Sequence, residues 1–315
     1  MQFLAGDVGG TKTLLRVVDG TGASLVDGRY DSGSYATFDD LLREFMGRVE
    51  GRVDAACFAV AGPVYGGRAE VTNVGWQIEE EALSRELGIG RVTLLNDFYA
   101  VALGVPLLRE SDLLSLHRGR RDPHAPIAIL GAGTGLGEAI VTRYGGRHEV
   151  IATEGGHGDF APQDEEQAGL FLHLHRIHGH VSWERVISGM GLVNIFTFLG
   201  GDELTPAAIA ELADSGDARA RHAFAIFVDV YGAEAGNMAL RVLARGGVYL
   251  AGGIAAKNVD RFTDGRFVEA FVRKGRFREL METIPVDLIV NEEVGLIGAA
   301  EGARRSLESL PGAPG

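Results

Sequence analysis

The sequence predicts two related α/β domains, each carrying a glycine-rich bend suited to phosphate. Three observations predict this. At 315 residues the chain is too long for one ordinary core and suits two. Apolar runs of strand length alternate with stretches of helical spacing along its whole length. An apolar strand, a Gly-Thr bend and a second strand occur twice, with Gly10-Thr11 and Gly133-Thr134 separated by 123 residues. Repetition of one supersecondary unit at long period is the signature of repeated architecture. The 46 glycines, about twice the usual share, fit a chain with many turns and close backbone approaches.

Phe3-Leu4-Ala5 starts a strand that breaks at Gly6–Thr13 and resumes over Leu14–Val18, turning at Asp19-Gly20-Thr21-Gly22. Thr37-Phe38-Asp39-Asp40 resembles a capping box, and Phe38, Leu41, Leu42, Phe45, Met46 and Val49 keep helical spacing after it. Val53–Val60 reads as a strand. Val71-Thr72-Asn73 precedes Gly75-Trp76, and Asn73 could face a ligand. Ile78–Leu87 reads as a helix closed by Gly88. Val92–Leu95 is a strand that stops at Asn96-Asp97, where helical spacing begins with Phe98, Val101 and Ala102. Ser111–Pro126 is polar and reads as a loop near a domain boundary. Ile127–Leu130 and Glu138–Thr142 are strands around the second bend, Gly131–Gly137. Gln163–His178 is helical, with Leu170, Leu174 and Ile177 on one face. Thr205-Pro206 starts a helix, and Arg219–Leu243 is a long one in which Gly232 and Gly236 permit close packing. Gly247–Leu250 is a strand entering a third glycine bend at Gly252-Gly253. Val286–Val290 is the last strand, Gly295–Leu307 the last helix, and Pro311–Gly315 reads as frayed.

Composition narrows the function. Net charge is −13, with 30 Lys and Arg against 43 Asp and Glu, which argues against non-specific nucleic-acid binding and against an anionic membrane surface. Cys57 is the one cysteine, so no intrachain disulfide and no cysteine-based zinc site can form. No run of about 18 apolar residues and no signal-peptide pattern occurs, and the expected compartment is the cytosol.

The chemistry-bearing residues gather at strand ends. Asn96-Asp97 puts a carboxylate at the carboxyl edge of a sheet, where open α/β sheets bind ligands; either residue also suits a plain helix cap. The bend at Gly9, Gly10 and Thr11 has no Gly directly before Lys12, so it is not a Walker loop. Successive glycines can still turn N–H groups onto an anion, with the Thr hydroxyl as a further donor. Asp7 beside it could serve hydrated Mg²⁺ or be a solvated turn residue. The second bend fails the dinucleotide spacing and leads to a strand, which disfavours a dinucleotide fold. Glu154 and His157, three apart in a Gly-rich loop, can both meet sugar hydroxyls, and Glu184 offers another carboxylate. Of the histidines at 173–180, only His175 and His178 share a helical face, and no carboxylate or cysteine stands at metal spacing. They read as surface residues.

The stretches GDVGGTKT, LLNDF, GAGTGLG, TEGGHGDFAP, ERVISGMGLVN and YLAGGI occur in one order over about the whole chain, and together they resemble bacterial glucokinase, of the actin-like ATPase and sugar-kinase superfamily. The resemblance implies two RNase H-like domains flanking a cleft, the smaller formed by residues 1–106 plus 298–315 and the larger by 107–297. It implies ATP-dependent phosphorylation of D-glucose at the entry to glycolysis. Asp97 would be the general base for the 6-hydroxyl, and Asn96, Glu154, His157 and Glu184 would bind the sugar. Gly9–Thr11 and Gly133-Thr134 would hold the ATP phosphates, Gly252-Gly253 would lie near the adenosine, and Asp7 would hold Mg²⁺ through water. It also implies a homodimer. Lys12 departs from the family's usual Asn and resembles a related repressor and kinase branch; one cysteine cannot supply that branch's Cys-rich zinc motif, and with the phosphate strand beginning at residue 3 its repressors' DNA-binding segment is not expected. Other expectations to separate are a kinase of fructose or of an N-acetylated hexosamine, a non-catalytic sugar-sensing regulator, and a chaperone-like or actin-like ATPase.

Overall fold

The computed structural model describes residues 1–308, and the expected fraying at Pro311–Gly315 lies outside the described residues. The chain divides into two compact units. One is Met1–Leu108 with the chain from Glu292 onward; the other is Arg109–Asn291.

The first unit is built on a five-stranded sheet of β1 (Gln2–Val8), β2 (Lys12–Asp19), β3 (Ser24–Asp31), β4 (Ala55–Val60) and β8 (Val92–Asn96), in the order β3-β2-β1-β4-β8. A small meander of β5 (Val64–Tyr65), β6 (Arg68–Val71) and β7 (Trp76–Glu79) lies between β4 and β8 in sequence. β1 runs antiparallel to β2 and parallel to β4, and β4 runs parallel to β8. The centre of the sheet is covered on both faces, which is why β1 and β4 are largely apolar. Leu4, Val8, Leu15, Val17, Phe58 and Val60 join one core with α1 (Phe38–Met46) and Leu83 of α2 (Glu80–Leu87). Phe3, Ala5, Leu14, Cys57 and Ala59 join a second with Ala100 of α3 (Asp97–Gly104) and with Leu296, Ala299 and Ala303 of the helix Val294–Glu308. That helix approaches α3 so closely that a Cβ on Gly298 would lie 1.7 Å from Ala100 O, and one on Gly104 2.3 Å from Val294 O.

The second unit repeats the pattern. Its six-stranded sheet has β9 (Leu113–His117), β10 (Ile127–Ala132), β11 (Leu136–Tyr144), β12 (Arg147–Thr153), β13 (Gly247–Ala251) and β14 (Val286–Ile289), in the order β12-β11-β10-β13-β14-β9. β10 is antiparallel to β11 and parallel to β13, as β1 is to β2 and β4. The helices are α4 (Glu165–His178), α5 (Gly189–Phe198), α6 (Pro206–Ser215), α7 (Ala218–Val242), α8 (Gly253–Lys257), α9 (Val259–Phe262), α10 (Arg266–Val272) and α11 (Arg278–Glu282). α7 is the spine, with Phe227 and Tyr231 fully buried. Gly232 and Gly236 let α10 approach, since Cβ atoms there would lie 2.4 Å from Phe267 O and 2.5 Å from Phe271 O.

Several local expectations are corrected. Gly6, Asp7 and Val8 stay in β1, so the first bend is only Gly9–Thr11. Ile78 belongs to β7, paired with Ala69, and the helix starts at Glu80. The stretch expected as a loop at 111–126 contains β9, an edge strand antiparallel to β14. Edge strands β3 and β12 also escaped, because half-exposed strands interrupted by charged and polar residues carry little apolar signal. Ile177 does not join Leu170 and Leu174 in the core; it is 60% exposed. His175 stacks on Phe171, and His173 lies against Phe198.

Candidate active site

In the first unit, register brings three loops to one edge. Val8 pairs with Val60, and Val60 with Asn96, so the bend after β1, the turn Ala61-Gly62 and the Asn96-Asp97 pair all leave the carboxyl end of the parallel strands. The bend is held by its carbonyls. Gly9 N–H donates to Lys12 O (3.0 Å), Ser32 Oγ donates to Gly9 O (2.7 Å), and Ser32 N–H donates to Thr11 O (3.0 Å). Ser32 Oγ also meets the buried Thr13 hydroxyl at 2.9 Å. Asn73 lies directly over Gly10, where a Cβ would stand 2.5 Å from Asn73 Cβ. Ser32 was not anticipated; its own short polar stretch gives no sign that it fastens a bend more than 20 residues upstream.

Asn96 is the N-cap of α3 and also more than a cap. Its Oδ1 accepts from Phe98 N–H (3.0 Å) and Tyr99 N–H (3.1 Å). Its Nδ2 donates to Gly62 O (3.1 Å) and to Asp97 Oδ1 (2.9 Å). Two donors and two lone-pair acceptances exhaust a carboxamide, so Asn96 is fully engaged in tying β4 and β8 together and orienting Asp97. Asp97 Oδ1 also accepts from Phe98 N–H at 2.8 Å. Burial raises the pKa of Asp97 above the usual carboxylate range, opposed by the Phe98 N–H and the Asn96 amide. Asp7 is pushed up to about 6, first by burial and then by the charge of Asp97, with Lys12 opposing. Asp7 faces the start of the helix Val294–Glu308, its Oδ2 3.3 Å from where a Cβ on Gly295 would be. Lys12 Nζ lies 3.8 Å from Glu292.

In the second unit, the bend Gly133-Thr134-Gly135 follows β10, and Gly252 follows its parallel neighbour β13. Gly252 has φ +85°, and a Cβ there would lie 2.4 Å from Ala132 O. Only glycine allows this approach of the third bend to the second. Tyr231 OH, fully buried, accepts from Ala132 N–H (3.2 Å) and donates to Leu130 O (3.3 Å), pinning the strand that carries the bend. Gly189 N–H donates to Gly133 O at 2.8 Å.

The predicted sugar residues of this unit come together. Trp183 and Phe160, both buried, pack edge to face with centroids 5.3 Å apart, and Trp183 N–H donates to Gly158 O at 3.0 Å. That junction sets the turn 154–158 beside Glu184. His157 Nε2 lies 3.7 Å from Glu154 and its Nδ1 3.9 Å from Glu184. Glu184 is aimed by the bend itself: Leu136 N–H donates to its Oε2 at 3.0 Å, and Gly135 leaves room for that oxygen. Glu154 is 90% exposed and His157 61%, so two polar groups beside a fixed carboxylate stand open to a small polyol.

A glucokinase family model matches residues 4–306. The chain belongs to the glucokinase family. The family's relatives include the glucokinase of Nostoc sp. (strain PCC 7120 / SAG 25.82 / UTEX 2576), 40% identical over 338 aligned residues covering 96% of this chain and 99% of that one. Among solved structures, a glucokinase from an Antarctic psychrotroph superposes with a TM-score of 0.88 at 29% identity, covering 96% and 99% of the two chains. A ROK family glucokinase from Streptomyces griseus, solved with glucose and AMPPNP, shares the fold at a TM-score of 0.65 and 22% identity, with 97% and 100% covered. The protein is thus an enzyme of the glucokinase class with the actin-like ATPase fold, and the repeated sheet order in its two units is that fold's expression here. No described helix is long and apolar enough to cross a membrane.

Proposed function

We propose that this enzyme transfers the γ-phosphoryl group of ATP to the 6-hydroxyl of D-glucose, with Asp97 as general base. The observation that carries the reading is Asp97 itself: a half-buried carboxylate at the carboxyl edge of the first unit's sheet, oriented by a fully engaged Asn96. Phosphoryl transfer asks the protein for in-line positioning and charge stabilisation more than for covalent chemistry. A base held within reach of the attacking hydroxyl suffices to accept its proton as the new P–O bond forms. Glu154, His157 and Glu184 meet the sugar hydroxyls, and a wrong epimer leaves one of these polar groups unpaired. Asn96 is expected to bind sugar as well; since its four hydrogen-bonding positions are filled, that contact requires exchange of an internal bond, and its first role is to aim Asp97.

The bends Gly9–Thr11 and Gly133-Thr134 hold the phosphates by N–H groups and Thr hydroxyls, and Gly252-Gly253 lies beside the adenosine. Asp7 fits a hydrated Mg²⁺: it is a hard oxygen donor whose pKa is raised by burial and by Asp97, and a cation relieves both. When bound with ATP, the ion neutralises phosphate charge. The family resemblance supports a cytosolic homodimer that feeds glucose 6-phosphate into glycolysis.

A coupled ADP-release assay with Mg·ATP across a hexose panel tests the reading. Turnover on glucose is expected, and Asp97→Ala is expected to lower kcat by about a hundredfold or more while leaving fold and ATP affinity near wild type. Retention of more than about a few per cent of kcat removes Asp97 from the base role. Turnover on another sugar keeps the mechanism and corrects the substrate. Absence of any sugar-dependent ADP release from folded, ATP-binding protein favours the regulator instead.

A further inference from the structure

Glu138 is a buried acid without a partner. It lies on β11, 2% exposed, and neither carboxyl oxygen meets a hydrogen-bond partner among the described residues. A buried polar group left unmade is costly and calls for an explanation. Its position supplies one. Glu138 pairs across the sheet with Thr153, the last residue before the turn 154–158. Its Oε2 sits directly beneath Gly155, 2.0 Å from where a Cβ would be. A second link runs through the backbone: Thr153 Oγ1 donates to Glu138 O (3.1 Å) and accepts from Gly155 N–H (3.2 Å). The turn that presents Glu154 and His157 therefore rests on Glu138 by both side chain and main chain.

We propose that Glu138 is a positioning residue for the sugar: as the uncharged acid it supports Gly155 from below and keeps Glu154 and His157 in register with Glu184. This rests on the proposed role of those three residues in sugar binding. The charged groups around it explain why the neutral form is the resident one. On α7, Glu234 adds negative charge and Arg241 opposes it, while Tyr231 from the same helix is uncharged; β12 contributes the Thr153 hydroxyl. Burial first and Glu234 second push the Glu138 carboxyl up to about 8. Above that pH an anion forms under the turn, with no donor to receive it, and the turn must lift.

The test is glucose affinity against pH, by KM in the ADP-release assay and by calorimetric Kd. If only the acid form binds sugar, wild-type KM and Kd rise about tenfold from pH 7 to pH 9, following an ionisation near 8. Glu138→Gln, an isosteric neutral side chain, is expected to keep pH 7 affinity within about threefold and to abolish the alkaline rise. Persistence of the rise in Glu138→Gln overturns the proposal and points to another group, such as Lys274, which burial lowers to about 8. A flat wild-type profile overturns it without any variant. Glucose binding lost in Glu154→Ala but indifferent to Glu138 and pH defeats this inference alone, whereas glucose binding indifferent to Glu154, His157 and Glu184 defeats the site reading beneath it.

Discussion

Replacing Gly135 by alanine isolates the link between the second bend and the Glu184 carboxylate proposed to bind the sugar. Gly135 carries no left-handed φ, so alanine brings no backbone strain, and the perturbation is steric. The new Cβ would stand 2.4 Å from Glu184 Oε2, where ordinary contact begins at 3.4 Å. The carboxylate must retreat by about 1 Å, which stretches its 3.0 Å bond from Leu136 N–H beyond hydrogen-bonding range. A hydrogen bond to a charged group contributes about 1.5–3 kcal/mol, so glucose KM should rise about ten- to a hundredfold. The obstacle is the end of a side chain, not backbone, so the melting temperature should fall by only about 2 °C or less. The assay is glucose KM at saturating Mg·ATP beside ATP KM at saturating glucose, with Glu184→Gln measured in parallel. Glucose KM within about twofold of wild type in Gly135→Ala, alongside a large rise in Glu184→Gln, would refute the claim that the bend aims this carboxylate.

Asn96→Ala should lower kcat more than it raises glucose KM, because Asp97 loses its orienting amide, and should cost about 1–2 kcal/mol of stability through the lost cap, read by urea denaturation. Gly232→Ala should destabilise the second unit by about 1–3 kcal/mol, since its Cβ meets Phe267 O at 2.4 Å; an unchanged thermal transition would contradict the α7–α10 packing. Glu138 also predicts a pH effect on stability. Its pKa is raised from 4.5 to about 8 on folding, so the folded state binds more protons than the unfolded chain between those values, and stability falls as pH rises through that window. Glu138→Gln removes this dependence, so its stability relative to wild type should improve by about 3–4 kcal/mol from pH 5 to pH 8; a difference that stays constant across that range would show the carboxyl to be ionised throughout.

Much of the architecture was legible because the central strands of both sheets are buried on both faces. Continuous apolar strands such as Ala55–Val60 and Ile127–Ala132 announce themselves, and the Gly-Thr repeat exposed the duplicated plan. Thr37, Thr205 and Gly88 marked helix ends because capping is local chemistry. What escaped depends on contacts distant in sequence. The edge strands β3, β9 and β12 take their conformation from a paired neighbour more than from their own side chains. The place of Asn96-Asp97 at a strand end and of Glu154 and His157 in one turn could be read from residue type and spacing. Ser32 beneath the first bend, Tyr231 beneath the second and Glu138 beneath the turn 154–158 could not, because each acts across a fold that sequence order conceals.

The helix Val294–Glu308 completes the core whose sheet strands were made first, and this sets a timetable for synthesis. One face of β1 and β4 waits for Leu296, Ala299 and Ala303 to cover Phe3, Ala5, Cys57 and Ala59. Between the end of α3 at Gly104 and Val294 lies the whole second unit, about 190 residues, or roughly 10–40 s of translation at 5–20 residues per second. For that interval the nascent first unit carries an uncovered apolar face, and the second unit completes its own core only once Val286 and Leu288 of β14 have been made. The protein's vulnerable period for aggregation or chaperone capture thus falls on its earliest residues, ending when Gly298 seats against Ala100.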